Sequence, residues 1–173
     1  MARYTERSLG RQLAFQFLFS LEFINTPWEH ALGEFWKMHP AALTDDACTT
    51  EEIPVIKRAF AQKADPVKAK TYAETLITGV CESHSDLNAY ITRQLDNWKP
   101  ERVGRIEWVL MRLALYEMLH CSEVPNNVII SEAVQLANSF ANPESPRFVN
   151  GLLNKLANSV NKEEPDTPDP DTP

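Results

Sequence analysis

Residues 102–120, RVGRIEWVLMRLALYEMLH, decide the fold. Between Ile106 and Leu119 the polar side chains are Glu107, Arg112 and Glu117. At about 100° per residue they fall at roughly 0°, 140° and 280° around a helix, which leaves no broad solvated face. A helix that is apolar nearly all round is usually buried. Leu110, Met111, Leu113, Ala114 and Leu115 favour helix, and no Gly or Pro follows Gly104 in the stretch. The reading is a central helix against which the others pack. A membrane span needs roughly 18 or more apolar residues, and the three charges break this run, so no span is expected.

Working outward toward the amino terminus, Trp98-Lys99-Pro100 stops a preceding helix. That helix is expected from about Leu87 to Asn97, capped by Ser85 or Asp86, with Leu87, Ile91 and Leu95 on its inner side. Asp65-Pro66 is a cap followed by proline at the first helical position. It predicts a helix from Pro66 to about Glu82, with Tyr72, Leu76, Ile77 and Val80 inward. Thr26-Pro27 repeats the signal for a short helix, about Pro27 to Met38. The first helix should run from about Thr5 to Phe23, with Thr5 as cap and a core stripe of Leu9, Leu13, Phe17 and Leu21. Gly10 reads as a local weakness of roughly 1 kcal/mol relative to Ala.

On the other side, Glu123-Val124-Pro125-Asn126 is a turn, and Val128 to Phe140 is helical in pattern, with Ala133, Leu136, Ala137 and Phe140 inward. The strand-like VIIS at 128–131 is too short to seed a sheet. Asn142-Pro143 ends that helix, and Ser145-Pro146 starts the last one, which runs to about Val160. The pattern fails between residues 39 and 65, where a long loop or insertion is expected, with Glu52 to Gln62 its one candidate helix. The sum is an all-α domain over residues 1–160 with about seven helices.

The chain has 173 residues, 43% of them apolar, enough for one domain with a real core. Its formal charge is −7, but residues 162–173 hold one lysine against five acids and four of the twelve prolines. That acidic segment, 161–173, should be disordered. An acidic total therefore does not exclude an anionic partner, since a local patch sets the nearby field. Cys48, Cys81 and Cys121 are odd in number and widely spaced, which fits reduced thiols in a cytoplasmic protein. The polar start, Met1 to Ser8, does not resemble a signal peptide.

Catalytic patterns fail. His30, His39, His84 and His120 form no metal-ligand spacing, and no GxSxG, Walker A or GxGxxG motif is present. Cys81 and His84 are three residues apart, and the ordinary reading is a buried thiol beside a surface histidine. No enzyme activity, metal or cofactor is expected. Recognition features are clearer. Arg3, Arg7 and Arg11 recur every fourth residue, and Phe15 and Phe19 extend the row. Guanidinium groups pair with phosphates, and aromatic rings stack on the bases of single strands. The bland alternative is a solvated helix face beside core phenylalanines. The turn into the last helix, Asn142 to Gly151, places Arg147 and Phe148 in a first turn, where open N–H groups favour an anion. There the alternative is a core Phe148 and a locally bonded Asn150.

Three segments, RIEWVLMRLALYEML, VPNNVIISEAVQLANSF and PRFVNGLLNKLA, together resemble the NusB family of bacterial transcription antitermination factors. The last is similar to that family's KFVNGVLDK signature, and RQLAFQFLFSLE resembles its arginine-led first helix. The resemblance covers roughly residues 5–25 and 66–160. It implies two packed three-helix bundles. It also implies binding of boxA-type single-stranded RNA from ribosomal RNA leaders together with NusE, a small-subunit ribosomal protein, in a complex with NusA, NusG and RNA polymerase that suppresses termination. A similar domain is fused to ribosomal RNA cytosine methyltransferases; with little chain after the last helix, the stand-alone form is expected.

Carried over by position, the resemblance assigns Arg7, Arg11, Glu144, Arg147, Phe148, Asn150 and Lys155 to RNA, and Phe19 and Glu107 to the protein partner. Arg147 takes the place of the family's lysine, and Phe19 stands where many members have tyrosine. Ser8, Leu9 and Gly10 thin the family's run of arginines. A helical module that binds protein and has lost most RNA binding is the alternative function. Some members form homodimers that hide the RNA surface, and both oligomeric states stay open.

Overall fold

The computed structural model describes residues 6–38, 64–95 and 99–163. Among them run seven α-helices and no strand: α1 Glu6–Leu21, α2 Trp28–Met38, α3 Pro66–Glu82, α4 His84–Gln94, α5 Arg105–His120, α6 Asn126–Phe140 and α7 Ser145–Glu163. A 3-10 turn, Pro100–Arg102, leads into α5. The expected cap Thr5, Arg3, the candidate helix at 52–62, Cys48, Trp98 and the acidic residues beyond Glu163 lie outside the described residues.

The central helix is central. Along α5, Val109, Leu110, Met111, Leu113, Ala114, Leu115 and Met118 are buried, and so is Glu117. A fully buried Leu or Met is worth about 1.5–3 kcal/mol of removed apolar surface, so this helix anchors both sides of the core. It packs against α1, α3, α4, α6 and α7, while α2 rests chiefly on α1. α1 and α3 lie along one flank of α5; α6 and α7 pair on the other, and α4 also touches α7. Over the described residues the chain adopts the all-α, seven-helix architecture expected from the sequence.

Local signals explain most of the boundaries. Asp65 accepts hydrogen bonds from Val67 N (3.0 Å) and Lys68 N (3.3 Å), so the cap works as the Asp-Pro pair predicted. Pro27 O accepts from His30 N and Ala31 N and opens α2. Where the structure departs from expectation, packing is the reason. α4 begins at His84, three residues early, because Ser83 closes α3 through Gly79 O and caps the next helix with its own carbonyl. The VIIS run lies within α6, with Ile129 and Ile130 turned inward. Phe140 is not in the core but at its rim, tilted against Phe15 at 5.2 Å. The last helix runs on to Glu163, so the start of the expected tail is helical.

Gly10 has a packing role rather than a cost alone. A Cβ there would lie 2.8 Å from Ala69 O and 2.9 Å from Tyr72 Cδ1. The missing side chain lets α1 approach the backbone of α3. That approach also delivers Arg11 to the interior.

Candidate nucleic-acid and partner interface

α1 and α5 run antiparallel: Arg11 meets Glu117, Glu22 meets Arg112, and Phe23 meets Arg105. The amino-terminal arginines therefore lie at the carboxy-terminal end of α5. The turn into α7 lies at the other end, where Ser145 meets Glu107. α5 has 16 residues, and at 1.5 Å per residue the two ends are about 24 Å apart.

At the first end Arg11 is only 3% exposed and Glu117 only 1%. Arg11 Nε donates to both Glu117 oxygens (2.9 and 3.1 Å) and Nη2 to Oε1 (2.5 Å). Its Nη1 lies 3.6 Å from Glu132, and Ser8 Oγ donates to the same Glu132 at 3.0 Å. The Tyr72 hydroxyl donates to Glu117. Burial alone would lower the Arg11 pKa, but the hydrogen bonds and charge of Glu117 outweigh it and the net shift is upward. Burial, then the Glu117 hydrogen bond and charge, push the Tyr72 hydroxyl well above its usual range. Four helices are thus tied by one charge cluster. Arg11 was expected at the RNA surface; its guanidinium is instead committed inside the protein and is not placed to reach a phosphate. Phe15, expected to extend an outer stacking row, is buried as well.

Arg7, one turn earlier, is exposed. Its Nη2 pairs with Glu123 at 3.2 Å, and its guanidinium lies 5.6 Å from the centre of the Tyr72 ring. An exposed pair of this kind is worth about 0–1 kcal/mol, so a phosphate can compete for it.

At the second end a groove of about 210 Å³ opens between the 3-10 turn and the start of α7. Glu107, Glu144 and Phe148 all line it, as does Arg102. Residues assigned separately to partner and RNA thus share one concavity. Phe148 is half-buried against the core, and Glu144, Arg147 and Asn150 are exposed. Glu107 is not an open carboxylate, because Ser145 Oγ donates to it. Asn150 O accepts from Asn154 Nδ2 at 2.8 Å. Lys155 donates to Gln94 O at 2.7 Å and so ties α7 to the end of α4. This places Lys155 in a helix-to-helix contact rather than on an open cationic face.

Phe19 is half-buried and stacked on Phe15, with centroids 5.9 Å apart and planes 11° apart. Phe23 meets it edge-on at 5.1 Å and is 61% exposed, with the Arg105 guanidinium 4.9 Å over its ring. Phe23, Arg102, Arg105 and Ser145 were not singled out from the sequence. Phe23 was findable, since it continues the four-residue spacing of Phe15 and Phe19.

Cys81 and His84 line a second cavity, about 270 Å³, with Glu22, Arg112 and apolar walls from Leu18, Leu21, Val80 and Val109. Burial, then Glu29 and Glu82, push the Cys81 thiol up to about 12, so it is protonated and a poor nucleophile. Arg112 is held there by Glu22 and Asn88, each at 2.7 Å. Among the described residues no group of His, Cys, Asp or Glu is arranged to hold a metal ion, and no helix is long and apolar enough to cross a membrane.

Residues 8–158 match the model of the NusB family. The transcription antitermination protein NusB of Myxococcus xanthus is 33% identical over 156 residues, 90% of this chain and 97% of that one. That of Geobacter sulfurreducens is 30% identical over 155 residues, 89% of this chain and 95% of that one. Among solved structures, T. maritima NusB superposes with a TM-score of 0.66 at 26% identity, covering 88% of this chain and 90% of that one. NusB in a crystal structure with NusE and double-stranded RNA gives 0.66 at 18% identity, covering 92% of this chain and 99% of that one, a likeness of fold. The match spans the central helix, both flanking groups and the groove, and on it this chain belongs to the NusB family of transcription antitermination factors.

Proposed function

We propose that the protein binds boxA-type single-stranded RNA of ribosomal RNA leaders together with NusE. Within a cytoplasmic assembly that includes NusA, NusG and RNA polymerase, it then helps transcription resist termination. It does so as a non-catalytic adaptor. The observation that carries this reading is the shared groove, in which Glu107, Glu144 and Phe148 converge at the start of α7. A half-buried aromatic ring at the groove suits contact with a base. Arg147 beside it and Arg7 at the far end of α5 supply phosphate contacts, and Asn150 adds a polar contact. Phe19, with Phe23 and Arg105 beyond it, and Glu107 form the protein-partner side. Arg11 and Lys155 support these surfaces from within.

The test is fluorescence anisotropy of a short boxA-type RNA with and without NusE. Arg7→Glu combined with Arg147→Glu should abolish most RNA binding and flatten its salt dependence. Binding and salt slope equal to those of the unaltered protein would sink the assignment. A second reading has one observation in its favour. Arg11 is internal and Arg7 is already paired, so the basic surface is thinner than the sequence suggests. On that reading the chain is chiefly a protein-binding module. Capture of NusE at full strength with no effect of RNA in either direction would favour it.

A further inference from the structure

Glu107 occupies the third position of α5, counted from its N-cap Gly104. Its carboxylate folds back over that cap: a methyl group on Gly104 would overlap Glu107 Oε2. From the opposite side it accepts the hydroxyl of Ser145, the first residue of α7, which is buried. Ser145 N in turn donates to Asn142 O at 3.0 Å, and Glu144 O accepts from Phe148 N at 3.4 Å, so the bonded serine sits inside the turn that presents Phe148. One carboxylate is therefore fixed by two elements, the space left by a glycine and the donor supplied by a serine. On the function proposed above, it lies between the residues assigned to the protein partner and those assigned to RNA.

We propose that Gly104 and Ser145 are positioning residues that make binding of the basic partner and binding of RNA cooperative through the Glu107 carboxylate; this rests on the function proposed above. A cationic side chain that docks on Glu107 restrains the carboxylate in place, and with it the α7 turn bonded through Ser145. The turn is then held in one arrangement before RNA reaches it. RNA that orders the turn fixes the carboxylate for the partner in the same way, because coupling between two ligands is reciprocal. Gly104 has ordinary helix-entry backbone angles, φ −67° and ψ 158°, which alanine adopts freely. The atom that a methyl would meet is the far end of a flexible side chain. Gly104→Ala therefore moves the carboxylate without straining the backbone, and separates positioning from folding.

The experiment measures the Kd of the full chain for a short labelled boxA-type RNA, with and without saturating NusE. The ratio of the two values is the coupling factor. Gly104→Ala and Ser145→Ala should each lower that factor by about tenfold, the loss of one charge-assisted hydrogen bond. Thermal unfolding of Gly104→Ala should stay close to that of the unaltered protein. An unchanged coupling factor in Gly104→Ala overturns the inference, as does a parallel loss of RNA affinity with and without NusE. If the unaltered protein binds both ligands with a factor of one, the inference falls and the proposed function stands. If it binds neither, the proposed function falls and takes the inference with it.

Discussion

At the carboxy-terminal end of α5 a glutamate, Glu117, is buried and grips Arg11; at the amino-terminal end a glutamate, Glu107, bonds Ser145 at the rim of an open groove. Both carboxylates reach across to another helix. Their surroundings set their use. Around Glu117, donors from Arg11 and Tyr72 converge in a dry interior, so removing one partner strands a charge. Around Glu107 one hydroxyl is engaged and the side chain is only half-buried, so the group keeps acceptor capacity for a further donor. The same residue type serves as an internal tie at one end of a helix and, on the function proposed above, as a recognition element at the other.

The sharpest way to break this comparison is Arg11→Ala. It should cost about 3–5 kcal/mol in urea unfolding, because Glu117 is left buried and unpaired. Arg7→Ala, one turn away, should cost under about 1 kcal/mol. Equal losses would mean that the two arginines are not on opposite sides of the surface. Gly10→Ala presses on the same cluster through Tyr72 and Ala69 O, and overpacking there should cost about 1–3 kcal/mol. At the groove end the larger effect should be on binding. Phe148→Ala should weaken RNA by about 1–3 kcal/mol if the ring stacks on a base. Titration of RNA binding against salt gives a finer reading. Arg7→Ala and Arg147→Ala should each reduce the slope by about 0.7. A change for Arg147 alone would confine the RNA to the groove end.

The smallest effect is expected between the two ends, at His84. Burial, then the Arg112 cation, hold its pKa below the usual value near 6.5. The unfolded chain then takes up a proton more readily than the folded one. Stability from this group is complete above about pH 6.5 and declines as pH falls toward the lowered folded value. His84→Gln should make urea midpoints at pH 7.5 and 5.5 more alike. An unaltered pH difference would remove His84 from the account.

How much of this was legible varied with the range of the interaction. Asp65-Pro66 gave the start of α3 and the apolar run of 106–119 gave the buried helix, because caps and periodicity are local. The row Arg3, Arg7, Arg11, Phe15, Phe19 misled for a geometric reason. Each step of four residues advances about 40° around a helix, so a long row is a spiral and not a face. Arg7 lies on its outer part, and Arg11 and Phe15 have already turned inward. Glu117 is one of three polar residues on a helix that is otherwise apolar; it lies within the core, since its partner is 106 residues away and no local pattern reports such a pairing. In the groove, Phe148 was singled out through the turn that carries it, and Glu144 through the resemblance. Ser145 was read only as a helix start, because its role depends on Glu107, 38 residues earlier.

The separation between Arg11 and Glu117 also bears on how the chain comes to be folded. Translation proceeds at roughly 5–20 residues per second, so the 106 residues between them take about 5–20 s to synthesise. For that interval α1 lacks the carboxylate that will neutralise Arg11 and the helix that carries it. The first helix made is among the last to be completed. A nascent chain of this protein therefore carries α1 with its α2 and α3 partners already made but with Arg11 not yet neutralised, a stage at which the cluster is incomplete.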